Sequence, residues 1–136
     1  MNKKKEEQEA PQALRIIDAN LNRLREGIRV VEDICRYYYN SQEHSSKLKN
    51  LRHLSRIDDF KSLLHSRDII NDPLKETTLS EKTRDTIDDI LISNLKRAQE
   101  SARVLEEILK ITDANKSEIF KNIRYELYDI EKILLS

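Results

Sequence analysis

Read at roughly 100° per residue, the apolar positions of this chain fall into helical stripes and not into the alternation of strands. Ile17, Leu21, Leu24, Ile28, Val31 and Cys35 form one stripe with Ile16 and Ile34 on its flank, predicting a first helix from about Ala13 to Tyr39. Asn40-Ser41 breaks it and can cap a second helix from about Gln42 to His65, whose apolar positions are Leu48, Leu51, Leu54, Leu63 and Leu64. Ser66 to about Leu79 (SRDIINDPLKETTL) has no clean helical period, and Asp72-Pro73 marks a turn or a crossover. A third helix is expected from near Ser80, a fair N-cap, to about Ile111. After a short connection at Thr112–Asn115, with Asp113 and Asn115 as capping candidates, a fourth runs from about Lys116 to Leu135. Its spaced positions are Ile119, Ile123, Leu127, Ile130 and Leu134. Residues 1–12 (MNKKKEEQEAPQ) are charged and aperiodic, so they are expected to be a disordered tail, with Pro11 suited to the first helical turn.

The polar positions carry more. Asn20–Arg36 (NLNRLREGIRVVEDICR) and Asn94–Lys110 (NLKRAQESARVLEEILK) share eight of seventeen residues in register. These are Asn20/Asn94, Leu21/Leu95, Arg23/Arg97, Glu26/Glu100, Arg29/Arg103, Val30/Val104, Glu32/Glu106 and Ile34/Ile108. A second echo sets Asn50-Leu51-Arg52-His53 against Asn122-Ile123-Arg124-Tyr125. Helix formation alone does not require polar residues to recur. The reading is all-α: four long helices in two repeated antiparallel hairpins that form a bundle. Residues 13–136 make a single helical domain, with repeat one at about 13–65, the crossover at 66–79 and repeat two at 80–136.

Composition fits this picture. Charged residues are 37% and apolar residues 38%, with one Gly and two Pro, which suits long helices with wet outer faces. The formal net charge is zero, so neither nucleic acid nor a membrane is expected as a partner, and any basic function must come from a local cluster. The lone Cys35 excludes an intramolecular disulfide and suits buried packing. Without a transmembrane-length apolar run or a visible signal peptide, a cytoplasmic protein is expected.

Several polar residues have both a structural and a functional reading. Asn20 and Asn94 sit inside or beside apolar stripes, where each either fixes helix register or faces a ligand. Gly27, with Ser101 in its place in the other copy, allows either a tight helix crossing or room for a ligand. Glu32 and Glu106 read best as part of a solvated charge ladder. Arg23, Arg97, Arg52 and Arg124 read as a shared basic site, since the guanidinium fork grips phosphate bidentately. His53 is more often a packing residue than a catalyst, and three scattered His with one Cys give no zinc spacing. Tyr37-Tyr38-Tyr39 reads as a helix-end packing cluster. Asp68 and Asp72 are either ordinary turn residues or hard-oxygen ligands for Mg²⁺.

Five stretches in this order carry a resemblance: RIIDANLNRLREGIRVVED, LRH, RDxxxD at Arg67–Asp72, SNLKRAQESARVLEE and IRYELYDIE. They resemble the all-helical domain often fused ahead of thiamine-phosphate synthase, assigned as a hydroxymethylpyrimidine phosphate kinase. Pro73 follows Asp72, where that family tends to have Gly soon after, and Ser93 stands where Ala is usual. The resemblance implies a phosphotransferase of thiamine biosynthesis. Its substrate would be 4-amino-5-hydroxymethyl-2-methylpyrimidine phosphate, converted to the diphosphate with ATP and Mg²⁺ as cofactors. It implies substrate binding by Asn20, Arg23, Arg52, Asn94, Arg97 and Arg124, with Glu26 and Glu100 aiming the arginines. Arg67, Asp68 and His53 would be catalytic, and Asp68 and Asp72 would hold the metal. The alternative is a non-catalytic helical module that binds thiamine-phosphate synthase in trans or stores its pyrimidine substrate. A homodimer, with the polar repeats as register pins, is also open. With one Gly there is no Gly-rich phosphate loop, so side chains and helix N-termini would have to hold phosphate.

Overall fold

A computed structural model describes residues 3–75 and 83–136. Its described residues form five α-helices and a π-helical turn, without strands. The helices are α1 (Lys3–Asp33), α2 (Gln42–Leu54), α3 (Phe60–Ser66), α4 (Ile87–Thr112) and α5 (Ala114–Leu135). The all-helical bundle expected from the apolar spacing is what forms. α1 lies along α4 and also carries α2 and α3, while α5 folds back along α4 and touches α2. Among the described residues no helix is long and apolar enough to cross a membrane.

The stripe Ile17, Leu21, Leu24, Ile28, Val31 and Cys35 is buried throughout. It meets Leu91, Leu95, Ala98, Ala102, Leu105 and Leu109 of α4 in one core, completed by Leu48, Leu51, Leu63, Phe120, Ile123, Leu127 and Ile130. Each large side chain buried this way contributes about 1.5–3 kcal/mol. Gly27 supports the close approach of α1 to α4. A Cβ there would meet the Asn94 carbonyl oxygen at 3.0 Å and the Ala98 Cβ at 3.2 Å. The tight-crossing reading of this glycine therefore holds.

Helix ends follow local chemistry. After Asp33 the helix widens into the π-turn Ile34–Tyr38, and Asn40 then adopts φ 53°. The Ser41 amide donates to the Cys35 carbonyl at 2.8 Å, a closure that needs a left-handed residue, which Asn tolerates. Ser41 then caps α2 by accepting from the His44 amide. A reciprocal capping box between Thr86 and Asp89 starts α4. Asp113 both ends α4 and caps α5, accepting from the Lys116 amide at 3.3 Å.

Five expectations need correction. The charged start is helical from Lys3, since its Lys, Glu, Gln and Ala are strong helix formers, and Pro11 lies inside α1 rather than in its first turn. The second helix is broken: the buried Ser55 donates its hydroxyl to the Leu51 carbonyl at 2.7 Å and ends α2, and α3 starts only at Phe60. Leu54 and Leu64 are consequently exposed. The expected start at Ser80 lies outside the described residues; in the described chain Thr86 caps α4. The three tyrosines do not pack at a helix end. They are exposed; Tyr38 and Tyr39 meet edge to face, and the Arg36 guanidinium lies over the Tyr37 ring. Ile119 is exposed, and Phe120 takes its place in the core.

Candidate functional site

The polar repeat builds two matching ion pairs. In the first half, Arg52 of α2 grips Glu32 of α1 with Nε at 2.7 Å and Nη2 at 3.2 Å. In the second, Arg124 of α5 donates from Nε to one oxygen of Glu106 at 3.0 Å, and its Nη2 lies 3.0 Å from the same oxygen as an ion pair. Glu32 and Glu106 are 2% and 5% exposed, so they are not the solvated ladder that their spacing suggested. Arg29 and Arg103 add longer contacts to the same acids, at 3.7 and 3.5 Å. Bonding to Glu32 raises the Arg52 pKa. The Tyr128 hydroxyl, then Glu106, raises that of Arg124, whose guanidinium also lies over the rings of Tyr125 and Tyr128. Arg52 and Arg124, expected to bind phosphate, are therefore committed to internal carboxylates. Each pair ties the two helices of its own hairpin.

The asparagines also match. Asn20 Nδ2 donates to the Ile16 carbonyl at 2.9 Å, and Asn94 Nδ2 donates to Ile90 at 2.8 Å. Each thus bonds within its own helix and does not cross to the partner, as a register pin would. Glu26 and Glu100 are exposed and form no ion pair among the described residues, so neither aims an arginine. His53 is exposed as well; desolvation, then the charges of Arg52, Arg56 and Lys49, push its imidazole below its usual pKa.

The crossover brings distant residues together. A cleft of about 650 Å³ between α1 and residues 67–73 is bordered by Arg15, Asn20, Arg23, Arg67, Asp68 and Asp72. Arg67 anchors it: Nε and Nη2 each reach one oxygen of the buried Asp18 at 2.9 Å. Arg15 Nη2 donates to the Asp68 backbone carbonyl at 3.1 Å. Asp68 accepts from the Asn71 side chain at 2.7 Å and its amide at 3.0 Å, bonds that hold its carboxyl below the usual range, the side chain contributing most. Asp72 accepts from the Leu74 amide at 3.0 Å, and its other oxygen has no partner among the described residues. Arg23 borders the cleft, is exposed, and makes no hydrogen bond or ion pair among the described residues. Asn94, Arg97 and Arg124 do not border this cleft, which lies on the first repeat and the crossover and not between the repeats.

The ThiD2 family matches residues 15–133, from the Arg15 that braces the crossover to the end of α5. The chain belongs to the ThiD2 family. Thiamine-phosphate synthase of Prochlorococcus marinus is 37% identical over all of this chain, but this chain covers only 39% of it. That of Thermosynechococcus vestitus is 40% identical over 88% of this chain and 34% of its own length. That of Synechocystis is 38% identical over 95% and 38% respectively. The chain thus spans just over a third of the length of these curated relatives. No solved structure matches. Within the ThiD2 match lie both ion pairs, both asparagines and every residue that borders the cleft except Gln12.

Two residues of this region were not singled out from the sequence. Arg15 and Asp18 lie in RIIDAN, and Asp18 sits next to the buried Ile17. A carboxylate that close to an apolar stripe signals a required cationic partner, which Arg67 supplies.

Proposed function

We propose that this chain acts in thiamine biosynthesis by transferring the γ-phosphoryl group of ATP to 4-amino-5-hydroxymethyl-2-methylpyrimidine phosphate. The observation that carries the reading is the gathering of Arg15, Arg23, Arg67, Asp68 and Asp72 on one cleft, from segments about fifty residues apart. ThiD2 membership and relatives named thiamine-phosphate synthase support thiamine biosynthesis as the setting in which that cleft works.

The acceptor phosphate is ionised near neutrality, with a second pKa of about 6, so it needs no general base. One of its oxygens attacks the γ-phosphorus, the bond from that phosphorus to the β–γ bridging oxygen breaks, and ADP leaves. The protein's task is alignment and charge neutralisation. Arg23, with its unspent guanidinium, would hold the incoming phosphate, and Arg15 and Arg67 would keep the crossover in place against α1. Among the described residues no three acidic, His or Cys side chains cluster into a metal cage. Two carboxylates on one cleft nevertheless suit an ion that takes its remaining ligands from phosphates and water. Asp68 and Asp72 would hold Mg²⁺, which would supply neutralisation of phosphate charge. The test is coupled detection of ADP from purified protein with ATP and the pyrimidine monophosphate. Well-folded protein that releases no ADP rejects the kinase reading.

A second reading is a non-catalytic module that binds thiamine-phosphate synthase. It is favoured by the small share of each relative that the chain matches and by the internal commitment of Arg52 and Arg124. Calorimetry separates the two: a kinase binds nucleotide and pyrimidine phosphate, whereas the module binds the synthase without nucleotide.

A further inference from the structure

The duplicated pattern sets Arg25 of α1 against Gln99 of α4. Gln99 is buried and satisfied: its Nε2 donates to Glu131 of α5 at 3.0 Å, and Lys96 holds the other oxygen of that carboxylate at 3.0 Å. Among the described residues no carboxylate bonds Arg25 as Glu131 bonds Gln99. Its Nε is shielded from solvent without any hydrogen-bond partner, and its guanidinium spends none of its donors on the described protein. A charged donor left this way carries its desolvation cost uncompensated. The charges that act on Arg25 are Arg56 and Arg52, which together with the larger effect of burial lower its pKa.

Arg25 borders a hollow of about 390 Å³ at the corner of α1, α2 and α3, next to the crossover cleft and sharing Asp18, Asn22 and Arg67 with it. Leu21 and Leu63 give it apolar walls, which strengthen an electrostatic contact there, and Ser55 and Arg56 lie on the α2–α3 link. Two carboxylates also border it. Asp18 has both oxygens taken by Arg67, and Asp58 is exposed and forms no ion pair among the described residues.

We propose that this hollow binds a phosphoryl anion, held by the unpartnered guanidinium of Arg25 together with Arg56. Arg25 and Arg56 share the hollow without an ion pair of their own among the described residues, which leaves guanidinium donors for an anionic ligand to complete the site. The inference stands apart from the kinase reading, because a non-catalytic binder of phosphate esters would use the same site. The phosphoryl group can belong to a nucleotide or to a pyrimidine monophosphate.

The experiment is calorimetric titration at constant ionic strength with inorganic phosphate, ATP and the pyrimidine monophosphate. It uses wild type, Arg25→Gln, Arg56→Ala and Lys132→Ala. Arg25→Gln installs the second repeat's residue, and circular dichroism reports its fold. Wild type is expected to bind at least one of the three, with affinity weakened tenfold or more by Arg25→Gln and by Arg56→Ala. Lys132→Ala, which removes a cation elsewhere, leaves affinity within twofold. Whichever ester loses affinity identifies the source of the phosphoryl group. Folded Arg25→Gln that binds as wild type does, or wild type that binds none of the three, overturns the proposal. If Arg25→Gln does not fold, the exposed Arg56→Ala decides by the same tenfold criterion. Binding without ADP release would reject the kinase and leave this site standing.

Discussion

Arg25 and Gln99 hold the same place in two copies of one pattern, yet one is an unpartnered cation and the other a satisfied amide. Asp18, the partner of Arg67, is likewise matched in the second copy by Ile92. Glu32–Arg52 and Glu106–Arg124 by contrast recur almost unchanged. Duplication has thus kept the ion pairs that tie each hairpin together, along with Asn20/Asn94 and Arg23/Arg97, and let Asp18 and Arg25 diverge. The repeated ion pairs mark scaffold, and the departures at Asp18 and Arg25 lie where the first copy alone builds a cleft and a hollow.

The sharpest way to break this comparison is to remove one acid from each repeated pair. Glu32→Ala and Glu106→Ala would each leave a largely buried arginine unpaired, and each is expected to cost about 3–5 kcal/mol in urea unfolding. Similar losses on the two sides support equivalent structural roles. A negligible loss on either side would reopen phosphate binding by Arg52 or Arg124. The next effect is on turnover. Arg23→Ala is expected to lower kcat/KM about a hundredfold, in line with the removal of one group that stabilises developing charge. Arg97→Ala, its copy on α4, should stay within a few-fold of wild type.

Much of the scaffold was legible because it follows from period. The core stripe of α1 and the short α4–α5 connection need only 3.6-residue spacing and good caps. The break at Ser55 was not legible, because Leu63 and Leu64 continue an apolar pattern past it and the buried serine hydroxyl gives no periodic signal. Glu32 looked like a surface charge and Arg52 like a phosphate ligand, because spacing along one helix does not reveal a partner on the next. The signal was present, however: an acid and a base recurred together in both copies, as pairing partners would. The cleft depends on the crossover folding back on α1, an arrangement fixed by Arg67–Asp18 and Arg15 that no local pattern encodes.

Smaller effects sharpen the contrast further. Gly27→Ala would press a methyl group against the Asn94 carbonyl and the Ala98 Cβ, neither of which can swing aside. Overpacking of about 1–3 kcal/mol should outweigh the helix-propensity gain of about 1 kcal/mol, for a net loss of roughly 1–2 kcal/mol by thermal unfolding. The smallest expected response is to mild acid. The carboxyl of Asp68 is held below its ordinary 3.8, so the stability it lends the crossover is complete above that pH. That contribution is lost only as pH falls through the still lower folded value. Amide shifts of residues 68–72 should therefore stay constant between pH 7 and 5, and any acid limb of turnover near pH 6 should follow the substrate phosphate.

The most direct measurement is a ¹H–¹⁵N chemical-shift map of the chain titrated with the pyrimidine monophosphate, alone and with a nonhydrolysable ATP analogue. Perturbations concentrated on residues 15–25, 55–58 and 67–73 would agree with a ligand site built by the first repeat and the crossover. Perturbations centred on α4 and α5, around Arg97 and Arg124, would contradict it.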